Sequence, residues 1–171
     1  RTKTRINKSR KKYTYAYLAE MRQIRSKPTQ RVKKYLGRVY AVEKIIKQQT
    51  KEWPQTLQEM LKEMIRRELK NHNFEEKGQD RWMNGDLEVN IDAKTVKNTL
   101  TEKKASIQMN QGILCDETLK KLVEYAIPKE NMKRVGKDFA KTVVEAGLEA
   151  SNEVIIEAFK KIQTMINNAQ Q

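Results

Sequence analysis

Tyr13, Tyr15, Tyr17 and Tyr35 stand in a segment that also holds Arg22, Arg25, Lys27, Arg31, Lys33, Lys34 and Arg38. Aromatic rings stack on bases, and guanidinium and ammonium groups contact phosphates, so this combination is that of a nucleic-acid-binding surface. Arg5, Lys8, Arg10, Lys11 and Lys12 precede the first tyrosine and add further cations. The expected roles are phosphate contact by the basic residues of the arm, register setting by Arg25, Arg31, Lys33 and Arg38, and stacking or packing by Tyr13, Tyr15 and Tyr35. No base-reading residue is assigned. The structural alternative is a half-buried hairpin whose tyrosines pack on a core while its lysines solubilise the other face.

Catalytic constellations are sparse. The chain has neither a G-x-x-x-x-G-K loop nor G-x-G-x-x-G, and its six glycines are scattered, so no phosphate cradle for nucleotide hydrolysis is expected. Cys115 is the single cysteine and His72 the single histidine, too few soft ligands for a zinc site and no basis for an internal disulfide. Cys115 beside a helix start, with His72 as base, is the one nucleophile arrangement to consider, against the commoner buried, inert thiol. Asp86, Asp92, Asp116 and Glu117 are the acidic residues near predicted strands. A nuclease would use two or three such groups to hold magnesium ions, but turn and capping roles account for them equally well. No metal or other cofactor is assigned.

Charge is unevenly placed. Residues 1 to 51 hold 17 basic and 2 acidic side chains, a net +15, whereas residues 52 to 171 carry a net −1. A concentrated cationic end suits a polyanion, whose condensed counterions are released on binding. The mean hydropathy is −0.88, yet 37% of the 171 residues are hydrophobic, enough for a folded domain. No run approaches the roughly 18 apolar residues of a membrane span, and no apolar segment follows the charged N-terminus. The expectation is a soluble, intracellular (cytoplasmic) protein that makes no membrane contact and is nucleoid-associated if it binds DNA.

These side chains must be positioned by an α+β fold. Residues 1–12 read as a flexible basic arm with little to bury. Tyr13 to Ile24 alternates with period two and predicts a strand, Ser26 to Thr29 a turn, and Arg31 to Tyr40 a returning strand. The hairpin, marginal by itself, must pack on helices or join a sheet. Ala41 to Gln49 has helical character. A clearer amphipathic helix follows Trp53-Pro54, with Leu57, Met60, Leu61, Met64 and Ile65 on one stripe. Asn71 to Gly85 reads as a long loop carrying Trp82. Leu87, Val89 and Ile91, then Ala105, Ile107 and Met109, predict a second antiparallel pair, with Thr95 and Val96 a further short extended piece. Helices follow: one capped by Asp116 and closed by Pro128, one from Met132 to Gly147, and a last one capped by Ser151 and carrying Ile155, Phe159, Ile162 and Ile166. The units are thus residues 1–12, 13–75 and 86–171, the last two admissible as one domain. The helix–Gly147–helix outline resembles a helix-turn-helix, but Glu149, Glu153 and Glu157 would repel DNA, so a structural or dimer-forming helical hairpin is expected.

Residues 17 to 37 run Tyr17-Leu18-Ala19-Glu20 through Lys27-Pro28-Thr29-Gln30-Arg31-Val32-Lys33-Lys34-Tyr35-Leu36-Gly37. The pattern Y-L-x-E followed by K-P-x-Q-R-V-x-K-Y-L-G resembles the short N-terminal module of transposases of the IS4 and IS1634 type and of small related archaeal proteins. Gln23 stands where the family often has arginine. The resemblance covers 21 of 171 residues. It implies association with DNA and not strand transfer: the family's Asp-Asp-Glu catalytic domain has no place in the remaining chain, and none of the matched positions is catalytic.

The expectation is therefore a non-catalytic protein that binds nucleic acid through its basic hairpin and arm, duplex DNA ahead of RNA, which stays open because stacking tyrosines and a basic groove suit single strands as well, with C-terminal helices that support it or form a homodimer. Two rivals stand beside it: a transposase-derived or nuclease-like metal-dependent enzyme, and an adaptor for an acidic protein partner.

Overall fold

The computed structural model describes residues 2–6, 11–24, 27–45, 52–126, 135–149 and 151–168. The alternating N-terminal segment forms β1 (Thr2–Ile6), β2 (Lys12–Ile24) and β3 (Lys27–Ala41), each antiparallel to the next. Part of the stretch expected as a flexible arm is thus a strand: Lys3 lies opposite Tyr15 and Arg5 opposite Tyr13. Five residues with little to bury still pair here because β2 offers an open edge. Of the turn expected at 26–29, Lys27, Pro28 and Thr29 belong to β3 instead, and Ser26 lies outside the described residues. Lys27 already pairs with Ile24, and Pro28 lies in β3 opposite Gln23, where the outer edge is unpaired and its missing N–H costs no ladder bond.

After β3, residues 42–45 have no regular structure; the rest of the helical stretch expected to Gln49 lies outside the described residues. α1 (Leu57–Asn71) starts later than Trp53-Pro54 suggests. Thr56 is its N-cap, its Oγ1 accepting from the Glu59 amide at 3.3 Å, and this satisfies one of the orphan amides of the first turn. Leu57, Met60, Leu61, Ile65 and Leu69 are fully or nearly fully buried on one stripe, as their spacing requires.

The expected loop from Asn71 to Gly85 contains strands instead. β4 (Glu75–Glu76) and β5 (Arg81–Asn84) form a hairpin that continues into β6 (Leu87–Asn90), β7 (Thr95–Asn98) and β8 (Lys103–Met109) as an antiparallel meander. Trp82 sits on β5 and is 1% exposed. Its turns combine Gly78 at φ +90° and Gly85 at φ +56°, the residue type that supplies positive φ at no steric cost, with non-glycine residues that also take positive φ, Gln79 and Asp80 among them. Leu87–Ile91 and Ala105–Met109, expected to pair antiparallel with each other, do not: β7, the short extended piece, lies between them and pairs antiparallel with both, so β6 and β8 run in the same direction. β9 (Gly112–Leu114) pairs with the end of β8.

The sheet order is β1-β2-β3-β8-β7-β6-β5-β4 with β9 on β8. Its one parallel pairing among the described residues, β3 on β8, runs from Arg38–Ala105 to Ala41–Gln108 and joins the hairpin to the meander. Gly37 makes that junction possible: its φ is +114°, and a Cβ there would lie 2.5 Å from the Lys104 carbonyl oxygen. Glycine alone adopts this backbone without strain and permits the close approach.

α2 (Asp116–Val123), α3 (Val135–Glu145) and α4 (Asn152–Asn168) complete the fold. Cys115, not Asp116, is the N-cap of α2. The Asp116 carboxylate turns outward to accept from the Val96 amide at 2.8 Å and Lys104 Nζ at 2.6 Å. α2 ends at Val123, while Pro128 and Met132 lie outside the described residues. Gly147 follows α3 at φ +82°, and Ser151 caps α4 through the Val154 amide, both as expected. Leu119 and Leu122, Phe139 and Val143, and Ala158 and Ile162 enter one core with α1 and β5 to β9. From α4, Ala158 and Ile162 are buried in that core and Val154 and Ile155 pack against it, while Ile156 and Met165 are exposed. No helix among the described residues is long and apolar enough to cross a membrane.

Candidate nucleic-acid interface

β1 covers β2 from Lys12 to Ala16, and β8 covers β3 from Arg38 to Ala41. Beyond those points, among the described residues, the two strands pair only with each other, from Tyr17–Tyr35 out to Ile24–Lys27, a ribbon of roughly 25 Å at the rise of an extended strand. Every β3 residue from Lys27 to Tyr35 is exposed. Directly opposed residues of an antiparallel pair share a face, and successive residues alternate. The register therefore sorts the side chains, and two bulges adjust it: Lys33 and Lys34 both oppose Leu18, and Leu36 and Gly37 both oppose Ala16.

One face is cationic. It carries Lys12 and Arg22 from β2, and Lys27, Arg31, Lys33 and Lys34 from β3, with Glu20 as its one carboxylate. Glu20 accepts from Arg22 Nε at 2.5 Å and pairs with Lys33 Nζ at 2.5 Å. The Lys33 bond first, then Arg22, holds its carboxyl below the ordinary glutamate range. Lys34 pairs with Glu117 of α2. Lys27 and Arg31 have no ion pair among the described residues.

The opposite face is aromatic. Tyr35 lies 6.2 Å from Tyr15 and 5.6 Å from Tyr17, centroid to centroid, with tilted rings. Burial by these neighbours raises the Tyr35 hydroxyl above its ordinary pKa. The Arg38 guanidinium carbon stands 4.1 Å from the Tyr13 ring centre and 5.1 Å from that of Tyr40, and Lys3 Nζ is 5.9 Å from that of Tyr17. These are cation–π distances. Toward the tip the face continues through Ala19–Val32, Met21–Gln30 and Gln23–Pro28. Met21 is 65% exposed, Tyr35 46% and Val32 43%.

Of the residues expected to share one binding surface, Lys12, Arg22, Lys27, Arg31, Lys33 and Lys34 lie on the cationic face, while Arg5, Tyr13, Tyr15, Tyr35 and Arg38 lie on the aromatic one. Tyrosines and cations that interleave along the sequence are thus separated in space, because alternation in a strand places neighbours on opposite sides. Lys11 is exposed just before β2, and Lys8, Arg10 and Arg25 lie outside the described residues. Tyr40 and Lys3 join the aromatic face from outside the expected residues, and so does Tyr17, part of the tyrosine alternation but assigned no contact role. The period that selected Tyr13 and Tyr15 contains Tyr17, whereas Lys3 is placed by the β1 pairing.

The acidic candidates are dispersed into structural roles. Asp92 accepts from Lys62 Nζ at 2.8 Å, Asp116 bridges β7 and β8 as described, Glu117 pairs with Lys34, and Asp86 sits in the β5–β6 turn. Among the described residues no three His, Cys, Asp or Glu side chains gather where they could hold a metal ion. Cys115 is buried, with Thr118 as its neighbour, and His72 is engaged elsewhere.

His72 belongs to a buried polar node on Glu68, which is 5% exposed. Glu68 Oε1 accepts from His72 Nε2 at 3.1 Å, Asn110 Nδ2 at 2.8 Å and Lys44 Nζ at 3.3 Å, and Oε2 accepts from the Glu149 amide at 3.2 Å. Burial opposes the charge, but these donors and the Lys44 ammonium prevail and hold the Glu68 carboxyl down at about 2. Burial also works against the Lys44 cation, which its pairs with Glu149 and Glu68 keep above its ordinary pKa. Asn110 Nδ2 reaches the Gly147 carbonyl at 2.8 Å as well. The node ties the segment after β3 to α1, to the β8–β9 turn and to the α3–α4 loop, four places far apart in sequence.

No family model, no curated protein and no solved structure matches this chain. The functional reading rests on the geometry of the ribbon.

Proposed function

We propose that this protein binds nucleic acid, duplex DNA in the first instance, by laying the cationic face of the β2–β3 ribbon against the phosphate backbone, with no catalytic residue involved. The observation that carries this is the ribbon itself: it stands clear of the core, and its cations face outward. Carboxylates of the helices do not neutralise them as a set, since Lys34 with Glu117 is the one such pair on that face among the described residues. A two-stranded ribbon matches the width of the major groove, and the sign of the charge suits phosphate.

The test is a fluorescence-anisotropy titration of the full chain with duplex DNA, single-stranded DNA, structured RNA and an acidic polypeptide at several salt concentrations. Deleting residues 1–51 is a poor comparison, because β3 supplies the parallel neighbour of β8 and Tyr40 packs on the core. Point changes at exposed positions are cleaner. Lys27→Gln, Arg31→Gln and Lys33→Gln together should weaken duplex binding and flatten the slope of log K on log salt by about 2.7, if each removes one phosphate contact. Unchanged binding by the triple variant would move the interface elsewhere. Equal affinity and salt slope for the acidic polypeptide would favour the adaptor instead.

A further inference from the structure

We infer that the aromatic face of the ribbon is a stacking platform for unpaired bases, so that the preferred ligand is a duplex carrying a single-stranded extension. This rests on the nucleic-acid reading above and names the form of the ligand. A duplex held against the cationic face leaves Tyr15, Tyr17 and Tyr35 on the far side of the same ribbon. Only a strand that has left the duplex reaches them.

Three observations fit that occupant. Tyr35 is 46% exposed, so its ring is reachable by a base. Arg38, Lys3 and Arg5 lie on this face, Arg38 held between two rings and Lys3 above a third. No carboxylate shares the ribbon's aromatic face among the described residues, since Glu20 points to the other side. Rings bordered by cations, with no opposing charge, are the chemistry that holds single strands: bases stack and the backbone is neutralised. Met21 and Val32 extend the uncharged strip toward the tip, where an apolar surface tolerates any base. A purely apolar protein partner would leave the three cations without a counterpart.

The experiment compares a blunt duplex, the same duplex with a single-stranded tail, and the tail alone, each titrated into the full chain, with 2-aminopurine in the tail as a stacking reporter. The tail should tighten binding by roughly tenfold, within the range for one or two stacked bases, and its fluorescence should be quenched. Tyr35→Leu should abolish both effects while leaving blunt-duplex affinity within about twofold, and Tyr35→Phe should retain both, because stacking needs the ring and not the hydroxyl. Equal binding of tailed and blunt duplex, or loss of both together in Tyr35→Leu, overturns the platform and leaves the duplex reading standing. Failure of every probe to bind overturns the nucleic-acid reading itself. Self-association of the wild type that Tyr35→Leu removes would give this face to a second copy and also overturns the platform.

Discussion

Replacing Glu68 with glutamine removes the charge at the centre of the buried node while keeping its shape. The folded carboxyl titrates at about 2 against 4.5 for the ordinary group. At 1.36 kcal/mol per unit, that difference corresponds to about 3 kcal/mol of stability at neutral pH. The pKa is depressed by folding, so this contribution is fully present above pH 4.5 and drains away as pH falls from there toward 2. Glu68→Gln should therefore be less stable than wild type by about 3 kcal/mol at pH 7, and the gap should close as pH approaches 2. Urea unfolding followed by the fluorescence of buried Trp82 and by circular dichroism, at steps from pH 7 to pH 2.5, measures the gap directly. Carboxylates common to both proteins, such as Asp80 beside Arg66, cancel in the comparison. A gap of the same size at both ends of the range would mean that shape and not charge is at stake, and the electrostatic account of the node would be wrong.

Gly37→Ala should destabilise the protein by about 2 to 4 kcal/mol, since a side chain meets both a positive φ and the Lys104 carbonyl; thermal melts give the loss, and hydrogen exchange at Arg38 to Ala41 should rise first. Trp82→Ala should cost about 3 to 5 kcal/mol in the same unfolding assay, whereas a tryptophan in a surface loop would cost little. Glu20→Gln removes the one carboxylate of the cationic face and releases Arg22 and Lys33, so duplex affinity should rise roughly two- to fivefold, the size of one exposed charge interaction, with Tm unchanged. Weaker binding by that variant would contradict the assignment of the face.

The strands flanking the hairpin tip, the stripe of α1 and the caps at Ser151 and Gly147 are legible in the sequence because they depend on neighbours within a few residues. The period-two run from Tyr13 and the 3.6-residue period from Leu57 each express a local backbone geometry. The strands at Glu75–Glu76 and Arg81–Asn84 are hidden for the converse reason. They are short, two and four residues, and the turn residues around them, Gly78, Gln79, Asp80 and Gly85, make the whole polar stretch read as a loop. Asp116 was misplaced by one residue as a cap because its actual partners, the Val96 amide and Lys104, come from strands folded against it. The Glu68 node carried no signal at all, since Lys44, Glu68, Asn110 and Glu149 meet only when the whole fold has closed.

Composition and order alone determined that positive charge collects in the first 51 residues, that tyrosines recur there at alternate positions, and that an apolar helix follows; these are properties of the chain before it folds. Which of those side chains face the same way was decided by pairing. The register of β2 against β3, shifted twice by bulges, sends lysines and arginines to one side and tyrosines to the other, and the parallel docking of β3 on β8 through Gly37 leaves the outer ribbon projecting. A strand's alternation is written locally, but the side that meets a partner depends on hydrogen bonds between residues far apart in sequence, which only the closed sheet supplies.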